Sequence, residues 1–369
     1  MGNLIYIWGD GGGPSLPDFT DPTNVSPNID VPFEAVQTSR RGLYLGKPFE
    51  ALATQMNIVT VIQTRKATDL NHDTGIADGM QRNRLTGNTL LTPLAKRSGS
   101  SIAFGEVPNV MNLADYHNLS FSVGSATRFP FNKQTGIYDM PSTNAAEPEL
   151  AAKRLELLHT LNLASPAPVE GINAEEWDQL VDKAGEIVRS TLQGCGGLPQ
   201  KDLLRYSNNQ VPNPSSQIFL VARELIRRGI AKIVLIRVGH HSGYGTFDMH
   251  DHLTPKLQEA GPAFAHPFAQ LIQDCEDGIL EDASIVFNSE FGRTNKLNPN
   301  AGRDHSPYHP SILYGPNVNK GSVIGELDAR GAPLTPPVSN EAFAKIVHHM
   351  MTVDLPKEEL QTLPKGIFR

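Results

Sequence analysis

The chain has 369 residues, 39% of them hydrophobic, with 32 Gly and 28 Pro, a composition that suits one large α/β domain or two smaller ones carrying turn-rich loops. A net charge of −7, with basic residues scattered rather than striped, argues against nucleic-acid binding, and no apolar run approaches the ~18 residues of a membrane span. Two cysteines, Cys195 and Cys275, are too few for a disulfide framework or a thiolate zinc site.

In chain order, LIYIWGD (4–10) reads as a buried strand ending at Gly9 and Asp10, and the glycines after it permit tight backbone turns. No secretion leader is read ahead of it. Residues 11–33, rich in Pro, Asn and Asp, read as an ordered irregular loop. MNIVTVIQT (56–64) is a second strand and runs into KATDLNHDTG, while residues 100–145 mix short apolar pieces with Pro and Gly. Helical spacing in EPELAAKRLELLHTLN and NAEEWDQLVDKAGEIVRSTLQ predicts a helical insertion over about 146–214. SSQIFLVARELIRRG (215–229) predicts a helix capped by Ser215 or Ser216 and stopped at Gly229, delivering the chain into a strand at 232–238. A helix within 262–278, clearest over 267–278, then leads to a strand at 284–288. Strand, helix, strand with short links predicts parallel pairing. NEAFAKIVHHMMTV (340–353) is the last helix.

Residues 234–309 contain 7 of the 12 histidines, gathered with carboxylates just past the ends of two predicted strands. In open α/β sheets that edge is where ligands bind. Asp248 and His252 stand four apart in FDMHDHL, so one helical turn would point both at a single cation and turn His250 and Asp251 elsewhere. Glu290, at the end of the next strand, is a carboxylate ligand, and Arg293 beside it can hold an anionic oxygen. His305 in GRDHSPYHP lies before a further strand, with His309 its nearest competitor and Asp304 placed to orient an imidazole. Asp10 faces the same cleft, with Asp18 and Asp21 as alternatives. His72, Asp73 and Thr74 follow the second strand, and the Thr74 hydroxyl is a potential nucleophile. The plain structural alternatives are a solvated polar loop around Asp248, an internal Glu290–Arg293 ion pair, and an ordinary turn at Thr74. Hydrolysing a phosphate or sulfate ester needs nonbridging oxygens neutralised and a hydroxyl or water activated, which carboxylate and imidazole ligation of a divalent ion supplies.

The order of these pieces resembles the alkaline phosphatase/sulfatase-like superfamily, and within it the bacterial domain-of-unknown-function family 1501. The resemblance rests on GGPSLPDFTDP (12–22), NHDTG (71–75), FDMH (247–250), SEFGRT (289–294) and GRDH (302–305). It implies a single alkaline phosphatase-like domain over 1–369, a three-layer α/β sandwich with a largely parallel sheet, helices on both faces and the insertion at 146–214. It implies metal ligands at Asp10, Asp248, His252, Glu290 and His305, one or two divalent ions (zinc, with manganese or calcium as alternatives), Thr74 or else Ser15 as nucleophile, Arg293 on the substrate, and a small anionic ester as substrate. The superfamily's Asp-His pair is Glu290-Phe291 here, which favours one tightly held ion. The resemblance further implies export to the periplasm or beyond. The rival expectation is a metal-stabilised binding or assembly protein without catalysis, and a weaker third is a phosphomutase-type transferase.

Overall fold

The computed structural model describes residues 2–24, 26–81, 89–98, 198–210, 212–238, 247–351 and 356–369, and the backbone of short strands within 102–138. Most of the insertion expected at 146–214, and the HHSGYG segment at 240–245, lie outside the described residues.

Buried apolar runs form one nine-stranded sheet. Its strands are β1 (Asn3–Gly9), β2 (Thr60–Lys66), β3 (Ile102–Glu106), β4 (Thr127–Arg128), β5 (Ile233–Val238), β6 (Ala283–Ser289), β7 (Tyr308–Tyr314), β8 (Val323–Ile324) and β9 (Val338–Ser339). The order is β8-β2-β7-β6-β1-β5-β3-β4, with β9 also beside β2. Strands β6, β1, β5, β3 and β4 are parallel. β7 runs antiparallel to both β6 and β2, so the sheet is mixed but largely parallel. The strands at 233–238 and 283–289 share a direction as expected, yet they do not pair with each other. β1 lies between them, matched Ile5 to Ile285 on one side and Ile5 to Val234 on the other.

Alternation along these strands builds two cores. Ile5 and Ile7 of β1, with Val234, Ile236, Ile285 and Phe287, face one layer. That layer is made of α4 (Pro214–Arg227), α5 (Leu253–Glu276) and a 3₁₀ segment, Lys47–Gln55. Leu4, Tyr6 and Trp8 face the other, made of α1 (His72–Gly79), α2 (Thr92–Ser98) and α6 (Asn340–Met351). Helices thus cover both faces, giving three layers. Two smaller helices, α3 (Gln200–Tyr206) and α7 (Lys357–Gln361), complete the described set. No helix among the described residues is long and apolar enough to cross a membrane.

Three boundaries differ from the sequence reading. The second strand starts at Thr60 rather than 56, because Gln55 ends a 3₁₀ segment and residues 56–58 are still turning. The α4 cap is Asn213. Its side chain accepts the Ser216 backbone N–H at 2.8 Å while Ser216 Oγ accepts the Asn213 N–H at 3.1 Å, with Pro214 at the first helical position. Gly229, at φ +68°, ends the helix as expected. α5 begins at Leu253, well before 262, and runs through Pro262 and Pro267. Proline reads as a helix start, but Leu253, Leu257, Ala260 and Phe264 make a buried stripe that holds the helix together through both.

Between α3, α4 and α5 lies a buried ionic knot. Glu224 accepts from Arg223 at 2.6 Å, Arg227 at 2.8 Å and Arg228 at 2.7 Å, while Asp274 accepts from Arg223 at 3.1 Å and from Tyr206 at 2.8 Å. Burial pushes the Glu224 carboxyl up, but hydrogen bonds from Arg227, Arg223 and Arg228 and the charge of Arg223 outweigh it and hold it at about 2. A depressed carboxyl stabilises the fold above its unfolded value and loses that contribution as pH falls through the folded one. Glu224→Gln is therefore expected to lower stability by about 3 kcal/mol at neutral pH. The variant should also flatten the loss of stability between about pH 4.5 and 2, read by urea denaturation at a series of pH values.

Candidate metal centre

The C-terminal ends of β1, β5 and β6 point to one edge of the sheet, and the end of β2 and the start of β7 reach the same edge. Asp10 follows β1, His72 opens α1 after β2, and Glu290 follows β6. Asp248 follows β5 by ten residues. His305 pairs with Arg293 in a two-residue antiparallel ladder that feeds β7.

Donor atoms of His72, Asp248 and His305 all lie within 4.8 Å of one another, the one such group found among the described residues. Each imidazole is anchored through Nδ1. His305 Nδ1 donates to the Leu70 carbonyl at 2.6 Å, which leaves its Nε2 lone pair facing the cluster. His72 Nδ1 is 2.5 Å from Glu290 Oε1, an oxygen that also accepts the Gly12 N–H at 2.8 Å, and its Nε2 looks towards Asp248 Oδ1 at 3.7 Å. An imidazole whose second nitrogen is held by a carbonyl or carboxylate is the usual form of a metal ligand. Glu290 Oε2 is buried without a hydrogen-bond partner, a further acidic oxygen in a site that already gathers acceptors. The donor set therefore fits a divalent cation.

The electrostatics differ from donor to donor: burial would lower His72, but the hydrogen bond and charge of Glu290, with the charge of Asp248, raise it. Burial, then the charges of Arg293, His72 and His250, hold His305 down to about 4 although its bond to Leu70 opposes them, so the ring is neutral at neutral pH. Burial alone would raise Asp248, but the adjacent Arg293 outweighs it and keeps the carboxyl ionised. Burial and the nearby Asp10 charge push Glu290 up to about 7 against the pull of His72 and Arg237.

The expected residues divide. Asp248, His305 and Glu290 meet here, Glu290 through His72. Asp10 is at the edge, but its Oδ2 accepts from Arg237 at 2.8 Å, with both side chains buried, so its charge is already compensated inside the protein. Arg293 is not poised on solvent. Its side chain is 2% exposed and donates to Asp248 Oδ1 at 2.6 Å, to the Gly11 carbonyl and to the Arg303 carbonyl at 3.2 Å. Thr74 lies in the first turn of α1 with Oγ1 buried and lacking a hydrogen-bond partner. Ser15 and Asp18 bond each other at 2.6 Å, and Asp18 takes a two-pronged grip from Arg303. Asp21 accepts from Asn24 and His309 is buried against Ser289, 3.0 Å away, so neither joins the cluster. Phe291, where the superfamily pattern has histidine, packs its ring 4.2 Å from His305 and 5.0 Å from His72.

The helical turn expected at FDMHDHL does not form, which is a correction with a clear cause. Met249 accepts the Arg303 N–H at 2.9 Å, and Asp251 bridges Ala301, so the segment is drawn out against the 298–303 loop. His250, two residues on, therefore lies beside Asp248, and a left-handed turn at the start of α5 carries His252 away from it. His252 takes a left-handed φ of 45° at the start of α5, and its side chain is 75% exposed with Asp251 as partner. His250 Nε2 is 3.3 Å from Asp248 Oδ1 and its Nδ1 is 3.0 Å from Asp304, the orienting role foreseen for that aspartate. His72 is the candidate donor that local sequence did not single out, because NHDTG offers an imidazole, a carboxylate and a hydroxyl side by side.

The backbone of the glycine loop approaches Asp248 closely. Gly11 takes φ +74°, and a Cβ there would lie 2.8 Å from Asp248 Cβ and 3.2 Å from its backbone nitrogen. Gly11→Ala is expected to displace Asp248 and weaken metal affinity by at least about tenfold, read by calorimetric titration with zinc.

Fold and site define a mixed α/β protein with a candidate metal centre at the C-terminal edge of a largely parallel sheet. The family characterised as "Protein of unknown function (DUF1501)" matches residues 132–363, well over half the chain, and the protein belongs to it. No curated protein matches the sequence. Among solved structures, the chain is similar to the lipoteichoic acid synthase LtaP from Listeria monocytogenes at 12% identity, covering 100% of this chain and 73% of that one, with a TM-score of 0.46. It is similar to a protein in the alkaline phosphatase superfamily from Vibrio parahaemolyticus at 11% identity, 96% and 67% coverage and a TM-score of 0.43. It is also similar to the C-terminal periplasmic domain of EcEptC from Escherichia coli at 11% identity, 95% and 82% coverage and a TM-score of 0.43.

Proposed function

We propose that the protein is a metal-dependent hydrolase of small phosphate or sulfate esters, built on one divalent ion held by His72, Asp248 and His305. The observation that carries this reading is the convergence of those three donors within 4.8 Å at the ligand-binding edge of the sheet. A bound divalent ion would neutralise an ester's nonbridging oxygens and make water more acidic.

The rest is the work of the chain. The Leu70 carbonyl fixes the tautomer of His305, and Glu290 orients His72. Arg293 keeps Asp248 ionised and aimed, a positioning role in place of the expected grip on substrate. Because Thr74 Oγ1 is buried, water is the attacking group in this reading. One ion is favoured over two because Arg237 already answers the charge of Asp10. The family resemblance extends the proposal to an exported protein, tested by cell fractionation.

A second reading, a metal-stabilised binding or assembly protein, is favoured by two observations: the buried Thr74 hydroxyl and an Arg293 side chain only 2% exposed. Elemental analysis followed by turnover of aryl phosphates, phosphodiesters and sulfate esters, with and without zinc, manganese and calcium, separates the two. Turnover that depends on metal and on Asp248 supports the hydrolase. Metal bound in an Asp248-dependent way, without turnover of any ester, supports the binding protein.

A further inference from the structure

His250 stands 46% exposed on the open side of the cluster, and its placement has chemical content. Nδ1 lies 3.0 Å from Asp304 Oδ1, and Arg293 Nη1 lies 3.1 Å from Nε2. A guanidinium can only donate and a carboxylate only accept, so the proton is on Nδ1 and the lone pair on Nε2. His305 is in the same state for the same reason, its Nδ1 facing a backbone carbonyl. The two Nε2 atoms are nonetheless 3.0 Å apart. Arg293 holds the His250 lone pair here, and an ion among these donors would take the place of the guanidinium on it.

The spacing fits a small ion. Bonds of about 2.0–2.1 Å to a tetrahedral zinc put neighbouring donors roughly 3.3 Å apart. The separations here are 3.0 Å for His250–His305, 3.3 Å for His250–Asp248 and 3.7 Å for His72–Asp248. All three imidazoles present Nε2 and rest Nδ1 on an oxygen: Leu70, Asp304 and Glu290 in turn.

We infer that His250 is a fourth protein donor to the ion, making a three-histidine, one-aspartate set that selects a first-row transition metal such as zinc or cobalt over calcium or magnesium. Imidazole nitrogen suits the former, whereas calcium takes 6–8 oxygens at about 2.3–2.6 Å and magnesium keeps several waters. The inference rests on the metal-site reading above and goes beyond it in ligand set and in metal class.

Cobalt(II) titration followed by visible absorption tests it. The wild-type chain should take up one equivalent with intense bands, resisting millimolar calcium and magnesium. His250→Ala, with His250→Gln as a second variant should the first fail to fold, should bind about 100-fold more weakly or worse with weaker, shifted bands. His252→Ala should leave both unchanged. Wild-type affinity and spectrum retained in a folded His250 variant, or displacement of cobalt by calcium, would overturn the inference while leaving the metal site standing. A folded wild-type chain that takes up no cobalt overturns both.

Discussion

Asp248→Asn is expected to reduce bound metal from one ion per chain to a small fraction and to lower ester turnover by at least about a thousandfold, with the fold retained. The carboxylate is the only anionic donor of the three that converge, and its Oδ1 also receives Arg293 at 2.6 Å and faces His72 and His250. Asparagine keeps the shape and removes the charge, leaving a cationic guanidinium beside the place a cation must occupy. Repulsion from Arg293 then adds to the lost bond, which is why the effect should exceed the 10–100-fold typical of a group that only orients a ligand. Elemental analysis of the dialysed variant and rates on the best wild-type substrate read both effects, and near-ultraviolet circular dichroism checks the fold. Metal content unchanged in the variant would mean that Asp248 is no ligand.

Asp18→Ala is expected to cost about 3–5 kcal/mol of stability, the range for leaving one member of a buried ion pair alone. Arg303 is fully buried and grips both Asp18 oxygens at 2.7 Å, with further bonds to the Thr294 carbonyl at 2.9 Å and the Asp30 carbonyl at 2.6 Å. Burial pushes the Asp18 carboxyl up more than Arg303 and Ser15 pull it down. Desolvation therefore outweighs much of the attraction, and what the pair secures is position. It ties the GGPSLPDFTDP loop to GRDH, two residues ahead of His305. The single variant should unfold at lower urea concentration and bind metal more weakly. The double variant Asp18→Leu/Arg303→Met should recover much of the stability, because no charge is left buried. A single variant as stable as the wild type would show the pair to be dispensable.

The sheet was legible because its central strands are buried on both faces and read as largely apolar runs, as in LIYIW, IVLIRV and ASIVFNS. Their ends marked the sheet edge where ligands bind in such folds, so Asp248, Glu290 and His305 could be named as candidates without coordinates. Register along the edge was less accessible. The choice between His250 and His252 depends on whether residues 247–252 coil or extend, and that is decided by contacts with a loop some fifty residues later. Gly302 shows how close the contact is, since a Cβ there would lie 2.0 Å from the His250 carbonyl carbon. Local spacing carries no trace of it. The roles of Arg293 and Asp10 were obscured in the same way. A strand-end arginine reads as an anion clamp until the Gly11 carbonyl and Asp248 close around it, and Asp10 reads as a ligand until Arg237 reaches it from the neighbouring strand.

One ion held among His72, Asp248 and His305 should be visible by anomalous diffraction from a zinc-soaked crystal at the zinc absorption edge. A single strong peak about 2.0–2.3 Å from His72 Nε2, His305 Nε2 and an Asp248 oxygen is the predicted result. An ordered cluster with no peak among those atoms, at zinc concentrations that saturate other zinc-binding proteins, would contradict it.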